Sequence, residues 1–221
     1  MPSANALARK NMVDCQVQTN GVVEASLLEG FAKVPRESFL PASRQSVAYH
    51  DEHIILSTHS YMLSPMVQGR LLQVADLKPD DVVLNIGDTT GYVSALLSPL
   101  VSTVMTLEGR TPASEQVRQA WVSLGCNNIV SVAGSNTSGC PDHAPYTVIM
   151  MNGAVSAIPS QVLSQLSAGG RLVCILQPQG STVGTITVIA CDEHGCYSHK
   201  SQFDATAPWV DGLAPAKEFK F

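Results

Sequence analysis

The chain has 221 residues, of which 45% are hydrophobic and 14% are charged. Intrinsically disordered chains show the opposite balance, so this composition predicts a folded protein with a full hydrophobic core. Thirteen Lys and Arg stand against eighteen Asp and Glu, which gives a formal net charge of −5. Binding to a phosphate backbone needs a basic surface, and we therefore expect no nucleic-acid partner.

The N-terminal residues contain no apolar run typical of a signal peptide, and no later stretch approaches the ~18 apolar residues that a membrane helix needs. We therefore expect no membrane partner and a cytoplasmic location. The cysteines lack the spacings of a disulfide framework, which favours free thiols in a reducing compartment. They are Cys15, Cys126, Cys140, Cys174, Cys191 and Cys196.

The first eighty residues predict helices. Apolar residues recur at helical spacing around Leu27 and again around Leu71, and Pro35 and Pro41 mark turns between these two segments. We expect residues 1–80 to form a helical cap on the rest of the fold.

From Val82 onward, apolar strand-like runs alternate with helix-like segments. Thr111 and Pro112 are typical of a helix N-cap followed by proline, and Gly169–Gly170 is typical of a helix stop. This alternation predicts an α/β fold, a doubly wound and mostly parallel sheet with helices on both faces. The predicted strands are 82–86, 103–107, 128–132, 146–151 and 172–176, and the predicted helices are 92–100, 113–124 and 159–166.

After residue 177 the hydrophobic pattern becomes two-fold, with runs at 185–190 and 196–203 around a polar turn. This pattern predicts a C-terminal antiparallel hairpin. Because no linker-like stretch interrupts the chain, we expect a single domain over 1–221. Its parts would be the helical cap, an α/β core over 81–177, and the hairpin with its tail over 178–221.

A glycine-containing loop, Gly87 to Gly91, follows the first core strand, and Glu108 ends the second. In doubly wound sheets, ligands bind beyond the carboxyl ends of the strands at this point. A carboxylate at Glu108 would accept hydrogen bonds from both hydroxyls of a ribose. The loop lacks the three glycines that a dinucleotide pyrophosphate usually requires. The sequence therefore favours a ligand with one ribose.

Six blocks of sequence occur in the order and spacing of the protein-L-isoaspartate O-methyltransferases, and the chain resembles this family over roughly residues 12 to 176. Its C-terminal stretch is similar to a short bacterial branch of the family. The blocks are Val34–Pro41, Ala48–Asp51, Ser64–Pro65, Ile86–Tyr92, Ala144–Tyr146 and Gly169–Val173.

The resemblance implies a Rossmann-like methyltransferase sheet with S-adenosylmethionine as methyl donor. It implies, as substrate, the isoaspartyl carboxylates that form in damaged proteins. Such a carboxylate is ionised at neutral pH, so that orientation and exclusion of water suffice without a strong base. The positions that match the family's cofactor-binding motifs are Asn85, Gly87, Asp88, Thr89, Gly91, Glu108 and Ser135.

Several of these positions depart from the family pattern. Asn85 stands where the family commonly has an acid, the block Gly134–Asn136 occupies the place of another, and Thr89 replaces a glycine. A threonine at a positive φ would cost roughly 1 to 2 kcal/mol. These departures also allow a catalytically degenerate relative that acts as a binding or interaction module, or a methyltransferase with a changed acceptor.

The family's functional serine falls on Leu63 in this chain. Ser64, one position later, is the candidate catalytic residue. It also fits a helix N-cap before Pro65. Loss of the serine at position 63 would remove one hydrogen bond to the acceptor, so we expect slow or absent isoaspartyl methylation.

Two clusters have spacings that suit metal ligands, namely Cys191, His194, Cys196 and His199, and the segment His50–His53. Strand pairing around a short turn brings cysteines together by chance, and the segment 50–53 belongs to a family loop. We therefore expect no metal at either cluster.

Overall fold

The structure, a computed structural model, describes residues 4–109 and 113–216. The described helices are α1 Ala4–Met12, α2 Ala25–Lys33, α3 Pro65–Ala75, α4 Tyr92–Leu97, α5 Glu115–Ser123 and α6 Ser160–Leu163. The described strands are β1 Ile54–Ser57, β2 Ser60–Met62, β3 Val82–Ile86, β4 Thr103–Leu107, β5 Ile129–Val132, β6 Tyr146–Val155, β7 Leu166–Leu176, β8 Gly184–Cys191 and β9 Tyr197–Ala205.

A seven-stranded sheet forms the centre of the fold, with the strand order β5-β4-β3-β6-β7-β8-β9. Strands β3 to β7 pair in parallel, whereas β8 and β9 pair antiparallel and close one side of the sheet. The strand order reverses between β3 and β6, which places a ligand crevice at the carboxyl ends of these strands. The predicted doubly wound sheet and C-terminal hairpin are confirmed.

Hydrophobic side chains cover both faces of this sheet. The larger cluster packs helices α1 to α5 against one face and includes Phe31, Leu71 and Trp121. The smaller cluster packs α6 and the C-terminal segment against the other face, and includes Val162 and Val210. None of the helices within the described ranges is long and apolar enough to span a bilayer.

The predicted bounds of β3 and β4 are confirmed to the residue. The helix predicted over 159–166 is shorter, and the interpretation of Gly169–Gly170 as its stop is wrong, because both glycines lie within β7. The pairing register of β6 and β7 shifts between Tyr146 and Val148, and Gly169 has a φ of +72°. The two glycines therefore lie at an irregularity inside a strand. The local sequence of such an irregularity resembles that of a helix end.

Two further features of the chain differ from expectation. The N-terminal part contains the two-stranded hairpin β1–β2 as well as its helices. The expected N-cap at Thr111 and Pro112 lies outside the described residues. Helix α5 begins at Glu115, and Ser114 caps it by accepting a hydrogen bond from Val117 N at 3.3 Å.

An ion pair ties the start of β3 to β7 and the end of α3. Arg171 Nη2 lies 2.6 Å from Asp81 Oδ2 and also donates to Asp76 O at 2.7 Å. Burial by itself raises the pKa of Asp81, but hydrogen bonds from Arg171, the Lys78 amide and Thr147 outweigh it and hold that pKa below its ordinary value. The ionised carboxylate therefore stabilises the folded state.

Replacing Asp81 by Asn should lower the free energy of unfolding at pH 7 by about 2 to 3 kcal/mol, because it leaves a half-buried guanidinium unpaired. A lowered carboxyl pKa stabilises the fold above the unfolded value of about 3.9 and loses that effect as the pH falls through the folded value. The difference between variant and wild type should shrink below about pH 4. Urea unfolding at several pH values measures it, with exposed Asp80→Asn as the control.

Candidate cofactor site

The loop from Gly87 to Gly91 joins β3 to α4 at the crevice of the sheet. Gly87 and Gly91 have φ values of +80° and +77°. A Cβ at Gly91 would collide with Val117 Cγ1 and would lie 2.8 Å from a ring carbon of Trp121. Trp121 Nε1 also donates to Gly91 O at 2.8 Å. The loop backbone therefore approaches α5 closely, which requires glycine at position 91.

Asp88 caps the helix that follows this loop. Its carboxylate accepts hydrogen bonds from Gly91 N at 2.9 Å and from Ser94 N and Ser94 Oγ, both at 2.8 Å. Burial raises the pKa of the Asp88 carboxyl, and the hydrogen bonds from Ser94 and Gly91 oppose that effect. The first amides of α4 are thus satisfied by the chain's own carboxylate.

Asn85 lies at the centre of a buried polar network. Its Oδ1 accepts from Asn152 Nδ2 at 2.5 Å, and its Nδ2 donates to Ser94 Oγ at 3.0 Å and to Asp88 Oδ2 at 3.2 Å. Ser94 Oγ, which donates its proton to Asp88, also lies 3.0 Å from the hydroxyl oxygen Oγ1 of Thr106. The network joins the carboxyl ends of β3, β4 and β6 beneath the loop.

Thr89 joins the loop to strand β2. Its Oγ1 accepts from Tyr61 N at 2.9 Å and donates to Tyr61 O at 2.8 Å. The expectation of strain at this position is wrong, because Asp76 is the one non-glycine residue with a positive φ in the described ranges. Thr89 adopts an ordinary backbone conformation and clamps the hairpin β1–β2 onto the loop.

Glu108 lies between two cavities that share the walls formed by Asp88, Thr89 and Glu108 itself. The larger, of about 330 Å³, extends towards Phe39 and Trp121. The smaller, of about 30 Å³, is also lined by Gly87, Leu107, Gly109, His59, Ser60, Asn136 and Asp211. Glu108 Oε1 accepts a hydrogen bond from Ala113 N at 3.0 Å. The carboxylate of Glu108 thus faces the glycine loop across the crevice.

The structure brings six of the predicted cofactor-binding residues together and leaves Ser135 apart. Ser135 is exposed, lies outside both cavities, and its Oγ is 2.8 Å from Thr137 Oγ1. The neighbouring Asn136 lines the smaller cavity instead, and its Nδ2 donates to Asp211 O at 3.1 Å. Asn136 belongs to the same block of the sequence, Gly134–Asn136, from which Ser135 was the predicted site residue.

Ser64 lies away from this crevice. Its Oγ accepts from Val67 N at 3.5 Å as the N-cap of α3, and its N donates to His53 Nδ1 at 3.0 Å. It lines a separate groove with His53 and Asp204. Leu63 is 3% exposed and belongs to the larger hydrophobic cluster. These contacts agree with the interpretation of Ser64 as a helix N-cap. A catalytic role for Ser64 stays a prediction.

The metal-like clusters are not assembled for coordination. Across residues 4–109 and 113–216, no group of three His, Cys, Asp or Glu side chains is placed to hold a metal ion. Cys191 is buried while Cys196 is exposed, and all six cysteines are free.

A doubly wound sheet with a glycine loop after β3 and a carboxylate at the end of β4 defines an α/β protein of the Rossmann-like, nucleoside-binding class. The sequence profile of the family described as protein-L-isoaspartate(D-aspartate) O-methyltransferase (PCMT) matches residues 8–203. The chain belongs to this family.

Curated relatives and solved structures agree with this assignment. The chain is 34% identical over 168 residues to a protein-L-isoaspartate O-methyltransferase of Koribacter versatilis. The aligned region covers 76% of this chain and 76% of the relative. It is 33% identical to one of Pelobacter propionicus, over 75% of this chain and 73% of the relative.

Two solved structures share the fold. One is titled protein-L-isoaspartate O-methyltransferase and has a TM-score of 0.76 at 23% identity, covering 91% of this chain and 66% of that one. The other, a putative protein-L-isoaspartate O-methyltransferase from Plasmodium falciparum in complex with S-adenosyl-L-homocysteine, has a TM-score of 0.73 at 13% identity. It covers 95% of this chain and 100% of that one.

The clamp at Thr89 makes a testable prediction about stability. Thr89→Val keeps the shape of the side chain but leaves the N and O of Tyr61 without their partner, and should destabilise the protein by about 1 to 2 kcal/mol. Thr89→Ser keeps the hydroxyl and should cost much less. Urea unfolding of both variants measures the difference, and equal losses in the two would show that the hydroxyl contributes nothing.

Proposed function

We propose that this chain is an S-adenosylmethionine-dependent methyltransferase that acts on isoaspartyl carboxylates in damaged proteins or peptides. Membership of the protein-L-isoaspartate O-methyltransferase family supports the reaction. The observation that carries the cofactor assignment is the position of Glu108, which faces the glycine loop where two cavities meet.

The donor groups of the crevice suit a ligand with one ribose. The Glu108 carboxylate accepts a single bond from the protein in the described residues, so lone pairs remain for two ribose hydroxyls. Gly87 and Gly91 let the loop backbone pass close to a ligand. We assign the ribose to Glu108 and the shaping of the loop to both glycines.

Asp88 and Asn85 support the site in a different way. Asp88 already caps α4, and Asn85 spends its hydrogen bonds inside the buried network. We assign to Asn85 the positioning of the loop. We assign to Asp88 both the cap and a negative charge on the cavity wall, which would attract a cationic ligand.

S-adenosylmethionine supplies, when bound, a methyl group on a positively charged sulfur that is ready for transfer to a nucleophile. The acceptor carboxylate is ionised at neutral pH, so the chain need not remove a proton from it. The residues of the crevice hold the two reactants and exclude water. Six free cysteines fit a reducing, cytoplasmic location for such a repair enzyme.

Replacing Glu108 by Ala should weaken the binding of S-adenosylhomocysteine tenfold to a hundredfold, because charge-assisted hydrogen bonds contribute about 1.5 to 3 kcal/mol. Isothermal titration calorimetry measures the affinity. Glu115→Ala removes an exposed carboxylate from the start of α5 and serves as the matched control. Unchanged affinity in Glu108→Ala would place the ribose elsewhere.

The wild-type protein should methylate an isoaspartyl peptide and not its aspartyl isomer, as measured by transfer of labelled methyl from S-adenosylmethionine. We expect a slow rate, because Leu63 offers no hydrogen bond to the acceptor. Binding of S-adenosylhomocysteine without methyl transfer to the isoaspartyl peptide would show that the cofactor site is retained and that the methyl acceptor is a different molecule.

A further inference from the structure

A contact between His59 and Asp211 crosses the smaller cavity. His59 Nδ1 lies 2.9 Å from Asp211 Oδ1, and both side chains line that cavity. His59 belongs to the β1–β2 turn, which we define as residues 57–60, and Asp211 belongs to the C-terminal segment, residues 208–213. The pair therefore connects two parts of the chain that are distant in sequence, directly over the Gly87–Thr89 loop.

The cavity beneath this pair is too small for the ligand that the crevice is built to hold. Its volume of about 30 Å³ corresponds to roughly one water molecule. Yet its walls include Gly87, Glu108 and Asn136, which are the groups best placed to hold a nucleoside. A ligand that binds Glu108 from the larger cavity and also reaches Gly87 or Asn136 in the smaller one needs one of the covering segments to move.

The C-terminal segment is firmly anchored. Val210 is fully buried, its N donates to Ala154 O at 2.9 Å, and Ala154 N donates to Pro208 O at 2.8 Å. Leu213 O accepts from Ser156 N at 2.9 Å. These bonds hold the segment to β6 on both sides of Asp211, so this segment is a fixed support.

The β1–β2 turn is held less firmly. His59 is about half exposed, and the clamp from Thr89 reaches the chain only at Tyr61. Residues 57–59 of the turn are exposed, and the contact with Asp211 connects the turn to the C-terminal segment.

We propose that the His59–Asp211 contact is a latch that holds the β1–β2 turn closed over the cofactor crevice and opens to admit the cofactor. This inference rests on the proposed function for its ligand. The latch acts through the fraction of molecules in which the turn is open, because that fraction scales the apparent association rate.

Breaking the latch should speed the association of S-adenosylhomocysteine. A single half-exposed side-chain contact of this kind shifts an equilibrium by about two- to fivefold, so His59→Gln and Asp211→Asn should each raise the association rate by that factor. Both variants should also raise the dissociation rate.

Two control variants separate a latch from a general loss of structure. Glu29→Gln breaks the exposed pair with Lys33 on α2 and should leave both rates unchanged. His59→Lys keeps a hydrogen-bond donor opposite Asp211 and should restore slow association. Equal association rates in the wild type, His59→Gln and Asp211→Asn would overturn the latch while leaving the proposed function intact.

Hydrogen–deuterium exchange tests the latch without a ligand. The amides of residues 57–60 should exchange two- to fivefold faster in Asp211→Asn than in the wild type, whereas the Tyr61 amide, held by Thr89, should not change. Equal exchange at 57–60 would overturn the latch. Faster exchange together with no binding of S-adenosylhomocysteine to any variant would support the latch as a conformational device and overturn the proposed function.

Discussion

The buried hydrogen bonds of Asn85 are the constraint on which the rest of the crevice depends. Parallel strands end together at one edge of the sheet, and polar side chains placed there must find partners inside the protein. Asn85 meets this demand by bonding to Asn152 on β6 and to Ser94 on α4. Because a partly satisfied buried network is costly, these bonds hold the strand ends and the start of α4 in one arrangement.

The sequence predicted the parts of this arrangement that depend on local pattern. The apolar runs of β3 and β4, the glycines that flank the loop, and the acid at Glu108 follow from residues close together in the chain. Apolar runs of this length between helices specify a parallel sheet, because they are buried on both faces. The order of the strands then places Glu108 opposite the loop.

Contacts between distant residues could not be predicted in the same way. Thr89 bonds to Tyr61 through a short hairpin that has little hydrophobic pattern, and Asn85 bonds to Asn152 across the sheet. A glycine at position 89 predicts a positive φ there. In the structure Thr89 has no positive φ, and its hydroxyl forms two hydrogen bonds with Tyr61. Ser135 and Asn136 show the same limit, since a shift of one residue in a loop exchanges the exposed side chain for the buried one.

The departures of the loop from the family pattern support each other. Asn85 replaces an acid, and Asp88 places a carboxylate three residues later within hydrogen-bond distance of the same amide. Thr89 replaces a glycine, and its hydroxyl fixes the hairpin that carries His59. These hydrogen bonds give partners to polar groups that would otherwise be buried without them. The loop is therefore fixed at the start of α4 by Asp88 and at the hairpin by Thr89, and this fixed loop faces Glu108 where the two cavities meet.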